Sequence, residues 1–358
     1  MINSVKISSA NYRLKAQLLL GFLVFILLAT CSREPELLEL HGFTMGTAYS
    51  VKIVPKNDQN LDLGVLKQAI DSILQEVNAE MSPYIPESQI SGFNSSAAGT
   101  FTKISPGFLA VIQRSLQWYD LTRGAFNIAV MPLLEIWGFG PWEQKNHRAP
   151  PDSSTVQKAL KNVRLPVLDV KNSRLLKDYT GQSLDLGAIA KGWGVDQVYA
   201  FIKHQGIRNY IVEIGGEIRT RGVNASEKSW IVGIDTPVKG SLPGQNLSAV
   251  VPISDKALAT SGDYRNFFEY KGQTYNHIIN PNTGYPVDSG IASVSVIAPN
   301  CTDADALATA LMVLNPTEGL ELIESLEGYE AYWIIRGGDG KFTTAKSSGM
   351  KLSHSLTY

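Results

Sequence analysis

In "TAYSVKIV", residues 47–54, apolar and polar side chains alternate through Tyr49, Ser50, Val51, Lys52 and Ile53, the period of a half-buried strand. Residues 61–80 and 106–122 repeat their apolar positions at helical spacing, which predicts two amphipathic helices. Between them, "MSPYIPESQISGFN" has too much Pro, Ser and Asn for either period and reads as a long ordered loop, functional or merely connecting. Short strands are expected at 209–214, 229–235, 247–253, 265–270, 273–279, 291–298 and 331–336, with hairpin breaks at Lys271-Gly272 and Gly337–Gly340. Helical patterns at 188–204, 302–314 and 317–326 interrupt them. Hairpins mixed with helices imply an α+β fold rather than a doubly wound parallel sheet. The polar segments 141–152 and 238–246 read as surface insertions, and no repeat of fixed period is visible. The expectation is a single compact domain of mixed, mainly antiparallel sheets with flanking helices, organised as two subdomains around a cleft.

Composition narrows the function classes. A net charge of −1 and no basic run interleaved with aromatics exclude a nucleic-acid backbone as the natural partner. The apolar content of 44% suits an ordinary globular core. Residues 1–30 read as a signal peptide, because Lys6, Arg13 and Lys15 precede the apolar run "AQLLLGFLVFILLAT", which is short for a spanning helix. An uncleaved anchor helix is the other reading. "LLATC" resembles a bacterial lipobox, with Thr30 departing from the usual small residue. Cleavage there would leave Cys31 lipidated and residues 31–41 as a tether, and Ser32 favours the outer over the inner membrane. Cys301 then has no internal partner, so no disulfide framework can form, and no zinc-ligand spacing exists. Any metal is expected to be hard and oxygen-ligated.

Four constellations could carry chemistry. In "SLDLGAIAKGWGVDQV", Asp185 is expected to end a short strand and Lys191 to stand in the first turns of a helix, a setting that favours phosphate or serves only tight packing. In "NCTDADALATALMVL", Asp303 and Asp305 sit at a helix start, and Asp305 shares a face with Thr309, a pairing suited to Mg²⁺ or, for the aspartates, to the helix dipole alone. Thr260, Ser261 and Gly262 are expected to form a polar turn, with Asp263 after it and a hairpin returning the chain to His277, a base or a satisfied core histidine. "FTMGT" and "GAFNIAVMPLLEIWGFG" set apolar groups around glycines, suited to a planar ring or to ordinary core. The paired glycines of "VEIGGEIRTRG" read as a bulge or a close backbone contact.

In this order, "TMGT", "MSPYIPESQISGFN", "GAFNIAVMPLL..WGFG", "LDLGAIAKGWGVD", "IVEIGGEI", "ATSGDYRNFF", "YNHIINPNTGYPV" and "DADALATALMVL" resemble the ApbE family of FAD:protein FMN transferases, with a T-fold-like domain over residues 42–345 and a tail at 346–358. The resemblance implies a periplasmic, lipid-anchored enzyme that cleaves the FAD diphosphate, attaches FMN to a threonine or serine of a partner protein and releases AMP. Implied acceptors are subunits of membrane redox complexes, such as sodium-pumping quinone reductases (Nqr) and Rnf-type complexes. Implied FAD contacts are Met45, Tyr84, Ala125, Phe126, Asn127, Asp185, Lys191, His277 and Ile279. Implied Mg²⁺ ligands are Ala188, Asp305, Ala308 and Thr309, with His277 as the catalytic residue. Asn127 and Asn280 stand where relatives often carry Asp. Two other outcomes fit the same residues: an FAD diphosphatase yielding FMN and AMP, and a flavin-binding lipoprotein without catalysis.

Overall fold

The computed structural model describes residues 37–56, 61–141, 149–242 and 244–355, so Cys31 and most of the 141–152 insertion lie outside the described residues. In chain order the elements are β1 Leu38–Thr44, β2 Thr47–Val54, α1 Leu63–Met81, α2 Gln89–Ser95, β3 Thr100–Lys103 and α3 Pro106–Leu121. A 3-10 turn at Ile128–Val130 leads into α4 Met131–Ile136, α5 Ser153–Leu160, β4 Val167–Asp169, β5 Arg174–Lys177 and α6 Ala190–His204. There follow β6 Asn209–Ile214, β7 Glu217–Arg221, β8 Trp230–Asp235, β9 Leu247–Ile253, β10 Ala257–Gly262, β11 Phe267–Tyr270 and β12 Gln273–Asn276. The chain closes with β13 Ile291–Ala298, α7 Cys301–Val313, α8 Pro316–Glu324, β14 Glu330–Arg336, β15 Phe342–Lys346 and β16 His354–Ser355.

Eight strands form one sheet in the order β1-β2-β6-β7-β10-β13-β14-β15, each pair antiparallel. Helices α1, α6 and α7 pack on one face, where Ile70, Leu74, Val195 and Leu307 join Val51, Val212 and Val294 in the main core. The three-stranded sheet β16-β9-β8 covers the other face through Trp230, Val251, Tyr332 and Ile334. This double cover explains why β13 is buried at every position and reads as a continuous apolar run, where β2 alternates.

Several expectations change. From Leu37 onward the chain is one compact unit, not two subdomains. The domain begins at Leu38, inside the expected tether, because β1 pairs with β2 along its whole length. The expected tail also belongs to the domain: Ser347 is buried against β14, and β16 pairs with β9. Within the expected loop, Ser88 caps α2, which buries Ile90 and Phe93. Residues Thr260, Ser261 and Gly262 form no turn and lie in β10, paired with β13. Gly215-Gly216 is a tight hairpin turn with both φ positive, 63° and 105°, and the Met45-Gly46 turn has the same character at 50° and 72°.

Registers place the Met45-Gly46 turn, the Gly215-Gly216 turn and the Gly262 end of β10 together at one end of the sheet. Helix α7 supplies the lateral wall there. Its first-turn Asp303 is fully buried, accepting from Arg114 (2.5 and 2.6 Å), Trp118 (2.8 Å), Tyr329 (2.8 Å) and Asn300 (2.6 Å). Asp196 of α6 holds the same end, accepting the amides of Cys301 and Thr302 (both 2.9 Å), the Thr302 hydroxyl and Arg219 (2.6 Å). Asp196 thereby satisfies two of the orphan amides at the helix start, those of Cys301 and Thr302, and fixes α7 against α6.

Candidate active site

The approach to α6, residues 182–186, has no regular secondary structure, not the expected strand ending at Asp185. Asn94 clasps it, donating to the Leu184 carbonyl (2.9 Å) and accepting the Leu184 amide (2.7 Å). The Asp185 amide donates to Ile128 O (2.8 Å). Thus "SGFN" and "GAFNIA", far apart in the chain, are both tied to the residues around Asp185. Burial raises the Asp185 pKa, with the Gly187 amide and Lys191 opposing it. Tyr84 remains 63% exposed, and the surrounding chain followed by the Asp185 charge raises its phenol pKa.

Lys191 stands in the first turn of α6, with Nζ 3.5 Å from Glu217 Oε1, 3.9 Å from Asp305 Oδ1 and donating to Gly187 O at 3.4 Å. Burial works to lower the ammonium pKa, but the charges of Asp305 and Glu217 outweigh it and leave it raised. Burial lifts both carboxylates above their usual range, against the pull of Lys191. Met45 reaches the same helix: a Cβ added to Gly194 would lie 2.9 Å from Met45 Cε. At Gly192 the neighbour is backbone, since an added Cβ would come within 2.3 Å of the Cys301 carbonyl oxygen. Both glycines permit the close approach of α6 to the rest of the site.

The residues present suit a hard cation. Gly192 N donates to Asp305 Oδ2 (2.9 Å) and not to the Ala188 carbonyl one turn back, which leaves that carbonyl without a helix donor. Among the described residues Asp305 Oδ1 faces Lys191 at 3.9 Å, beyond hydrogen-bond reach. One turn along α7, Thr309 Oγ1 lies 3.0 Å from Ser261 Oγ. Ala308, fully buried beside Thr309, keeps this face of the helix slim. Among the described residues no trio of His, Cys, Asp or Glu gathers as a metal cluster. Carboxylate, carbonyl and hydroxyl oxygens in this number match Mg²⁺, which keeps waters and takes phosphate oxygens.

His277 follows β12 on the separate ribbon β11-β12. Its amide (3.1 Å) and its Nδ1 (3.0 Å) both meet the Asn266 carbonyl, and Phe139 packs edge-on at 6.3 Å. A carbonyl only accepts, so Nδ1 carries the proton and Nε2 keeps its lone pair. The half-buried setting lowers the ring's pKa below 6.5, the Asn266 bond opposing and Lys191 adding to the shift. The charges of Lys191 and Asp263 both act on the ring, in opposite directions. Beyond it, Gly284 holds φ of 80° where an added Cβ would sit 2.7 Å from Val156, which fixes the "NPNTG" turn.

Three expected contacts are not side-chain contacts. Ala125 and Phe126 are buried in the core at 3% and 2% exposure, and Ile279 packs with Leu133, Trp137 and Phe139, so these three can offer a ligand only their backbone. Sequence reasoning also passed over Glu217, Asn94 and Phe139. For Glu217 the signal was a carboxylate directly after the Gly215-Gly216 turn, at an inward position of a strand whose neighbour Arg219 points the same way.

The pattern that defines the ApbE family matches residues 45–333. The chain belongs to the ApbE family. It is similar to the FAD:protein FMN transferases of Vibrio cholerae (38% identical, 90% of this chain and 95% of that one) and Haemophilus influenzae (35%, 91% and 94%). Among solved structures it resembles the flavin transferase ApbE of Vibrio cholerae, with TM-score 0.77, 35% identity, and 87% of this chain and 97% of that one covered. The apo flavinyl transferase ApbE of Pseudomonas stutzeri gives the same TM-score at 32% identity, covering 87% and 95%. Asn127 and Asn280, where the resemblance led to an expectation of Asp, have a local account. Asn127 Oδ1 accepts the Ala129 amide (2.8 Å), and Asn280 Oδ1 accepts the amides of Asn282 (2.9 Å) and Thr283 (3.3 Å). A neutral amide oxygen fills both positions, so these turns need no carboxylate charge.

Proposed function

We propose that this protein is an FAD:protein FMN transferase. It moves the FMN half of FAD onto a threonine or serine hydroxyl of a partner protein and releases AMP. The observation that carries this reading is an imidazole whose Nδ1 is held by the Asn266 carbonyl, leaving Nε2 as the base, with the charge of Lys191 acting on its ring and the same ammonium 3.9 Å from Asp305 Oδ1.

His277 Nε2 takes the proton of the acceptor hydroxyl as its oxygen bonds to the FMN phosphorus. The bond from that phosphorus to the bridging oxygen breaks, and AMP keeps the bridging oxygen with its electron pair. Lys191 offers its ammonium to the diphosphate. Asp305 Oδ1, the Thr309 hydroxyl and the Ala188 carbonyl would hold Mg²⁺, with Ala308 beside them. When bound, Mg²⁺ supplies neutralisation of diphosphate charge. Met45 and Tyr84 flank the place for the flavin ring, and Asp185 and Asn127 offer polar groups to the rest of FAD.

The test is mass. Incubation with FAD, Mg²⁺ and a candidate acceptor domain should yield acceptor heavier by one FMN, and free AMP. FMN and AMP with unchanged acceptor would indicate the diphosphatase instead, and intact FAD would indicate binding alone.

The acceptor class we propose is a subunit of a membrane redox complex of the Nqr or Rnf type. The place we propose is the periplasmic side of a bacterial membrane, preferably the outer one, through lipid on Cys31. The order of charged and apolar residues before Cys31 supports this. No helix among the described residues is long and apolar enough to cross a membrane. Replacing Cys31 by alanine is expected to move the protein from the membrane to the soluble fraction and to abolish labelling by a fatty-acid probe.

A further inference from the structure

Glu217 is buried at 4% exposure, and its Oε2 has no hydrogen-bond partner among the described residues. Its ion pair among the described residues is with Lys191, through Oε1 at 3.5 Å. The same ammonium stands 3.9 Å from Asp305 Oδ1, the oxygen that the cation reading needs. A lysine seated directly on that oxygen would compete with a divalent cation for it. In this structure it is held off, with Gly187 O at 3.4 Å and Glu217 sharing it.

From this geometry we infer that Glu217 is a positioning residue that parks the Lys191 ammonium away from Asp305 Oδ1, keeping that oxygen open to a divalent cation and the ammonium free for the substrate's diphosphate. The inference rests on the cation reading of Asp305. Three features support it. The β6-β7 hairpin turn, with both glycines at positive φ, delivers Glu217 at the first position of β7. Arg265 donates to Gly215 O at 3.3 Å, steadying that turn from the side of the His277 ribbon. Among the described residues the carboxylate's second oxygen has no donor and Lys191 is its ion-pair partner within 4 Å, with the Arg265 charge acting on it from farther off.

The experiment is a double-mutant cycle read by Mn²⁺ binding to the full chain, followed by electron paramagnetic resonance without FAD. Asp305→Ala should abolish tight binding. Glu217→Gln, which keeps the side chain's shape, should weaken Mn²⁺ by about 10–100-fold, the usual cost of losing a partner that orients a ligand. Lys191→Met alone should change affinity little, and Glu217→Gln with Lys191→Met should recover most of the loss, because no ammonium is left to collapse onto Asp305. A double variant as weak as Glu217→Gln would make Glu217 a ligand itself and overturn the inference. Strictly additive effects of the two substitutions would reduce it to bulk electrostatics and overturn it equally. If Glu217→Gln does not fold, Lys191→Met and the double variant still decide: parity supports the inference, and a weaker double variant overturns it. Unchanged Mn²⁺ binding in Asp305→Ala overturns the cation reading, and the inference with it; normal loss there with an unaffected Glu217→Gln overturns the inference alone.

Discussion

Replacing His277 by alanine is expected to slow FMN transfer by about 10²–10⁴-fold while FAD binding persists, the range that a positioned general base contributes. The ring's Nδ1 is held by the Asn266 carbonyl, so the base is Nε2, and alanine removes that lone pair without touching Met45 and Tyr84, the flavin contacts we propose. Single-turnover transfer to an acceptor domain, with FAD affinity measured in parallel, checks it. Undiminished transfer would refute the role. The pH dependence has a definite sign. The folded-state pKa of His277 lies below 6.5, so the neutral, competent ring persists into mildly acid solution and the acid limb of the rate falls below pH 6.5. For stability, the unfolded chain binds the extra proton first. This residue's contribution is therefore full above pH 6.5 and is lost as pH drops through its lowered folded value.

Asp303→Ala should destabilise the fold by about 3–5 kcal/mol, the cost of breaking one half of a buried ion pair. The carboxylate is 1% exposed and gathers Arg114, the Trp118 indole, Tyr329 and Asn300. Alanine leaves those donors facing each other with no acceptor and loosens the start of α7, the helix that carries Asp305 and Thr309. Burial alone would raise the Asp303 pKa, but Arg114 and the other donors outweigh it and hold it below 3.8. Sign follows from that depression: the stabilisation is full above pH 3.8 and is lost as pH falls through the folded value. Urea unfolding at neutral and acid pH checks both statements. A midpoint equal to that of the unaltered chain at neutral pH would refute them.

Much of the architecture was legible because period and burial agree. The alternation of 47–54 became β2, and the apolar repeats of 61–80 and 106–122 became α1 and α3. Helix α2 was not, since seven residues carrying Ser and Asn give too short a window for period, and its stability comes from burying Ile90 and Phe93. Thr260, Ser261 and Gly262, the end of β10, read as a turn because Thr, Ser and Gly are turn formers, yet pairing with β13 overrides that preference. Residues 38–41 and 346–355 were expected to be tether and tail, while backbone pairing of 38–44 with β2 and of 354–355 with β9 makes them part of the sheets.

The chain by itself determined the family, the antiparallel α+β character, the helix face shared by Asp305 and Thr309, and the turn after His277. Those features follow from local order, which spacing and turn chemistry record directly. Tertiary structure alone decided that Asp303 is a buried lock and Asp305 an open oxygen, although the two stand two residues apart on one helix. It also brought Glu217 to Lys191 and turned Phe126 and Ile279 into the core. The reason is physical: a side chain's charge state and task depend on what lies across from it, and those neighbours come from strands and helices far away in the chain.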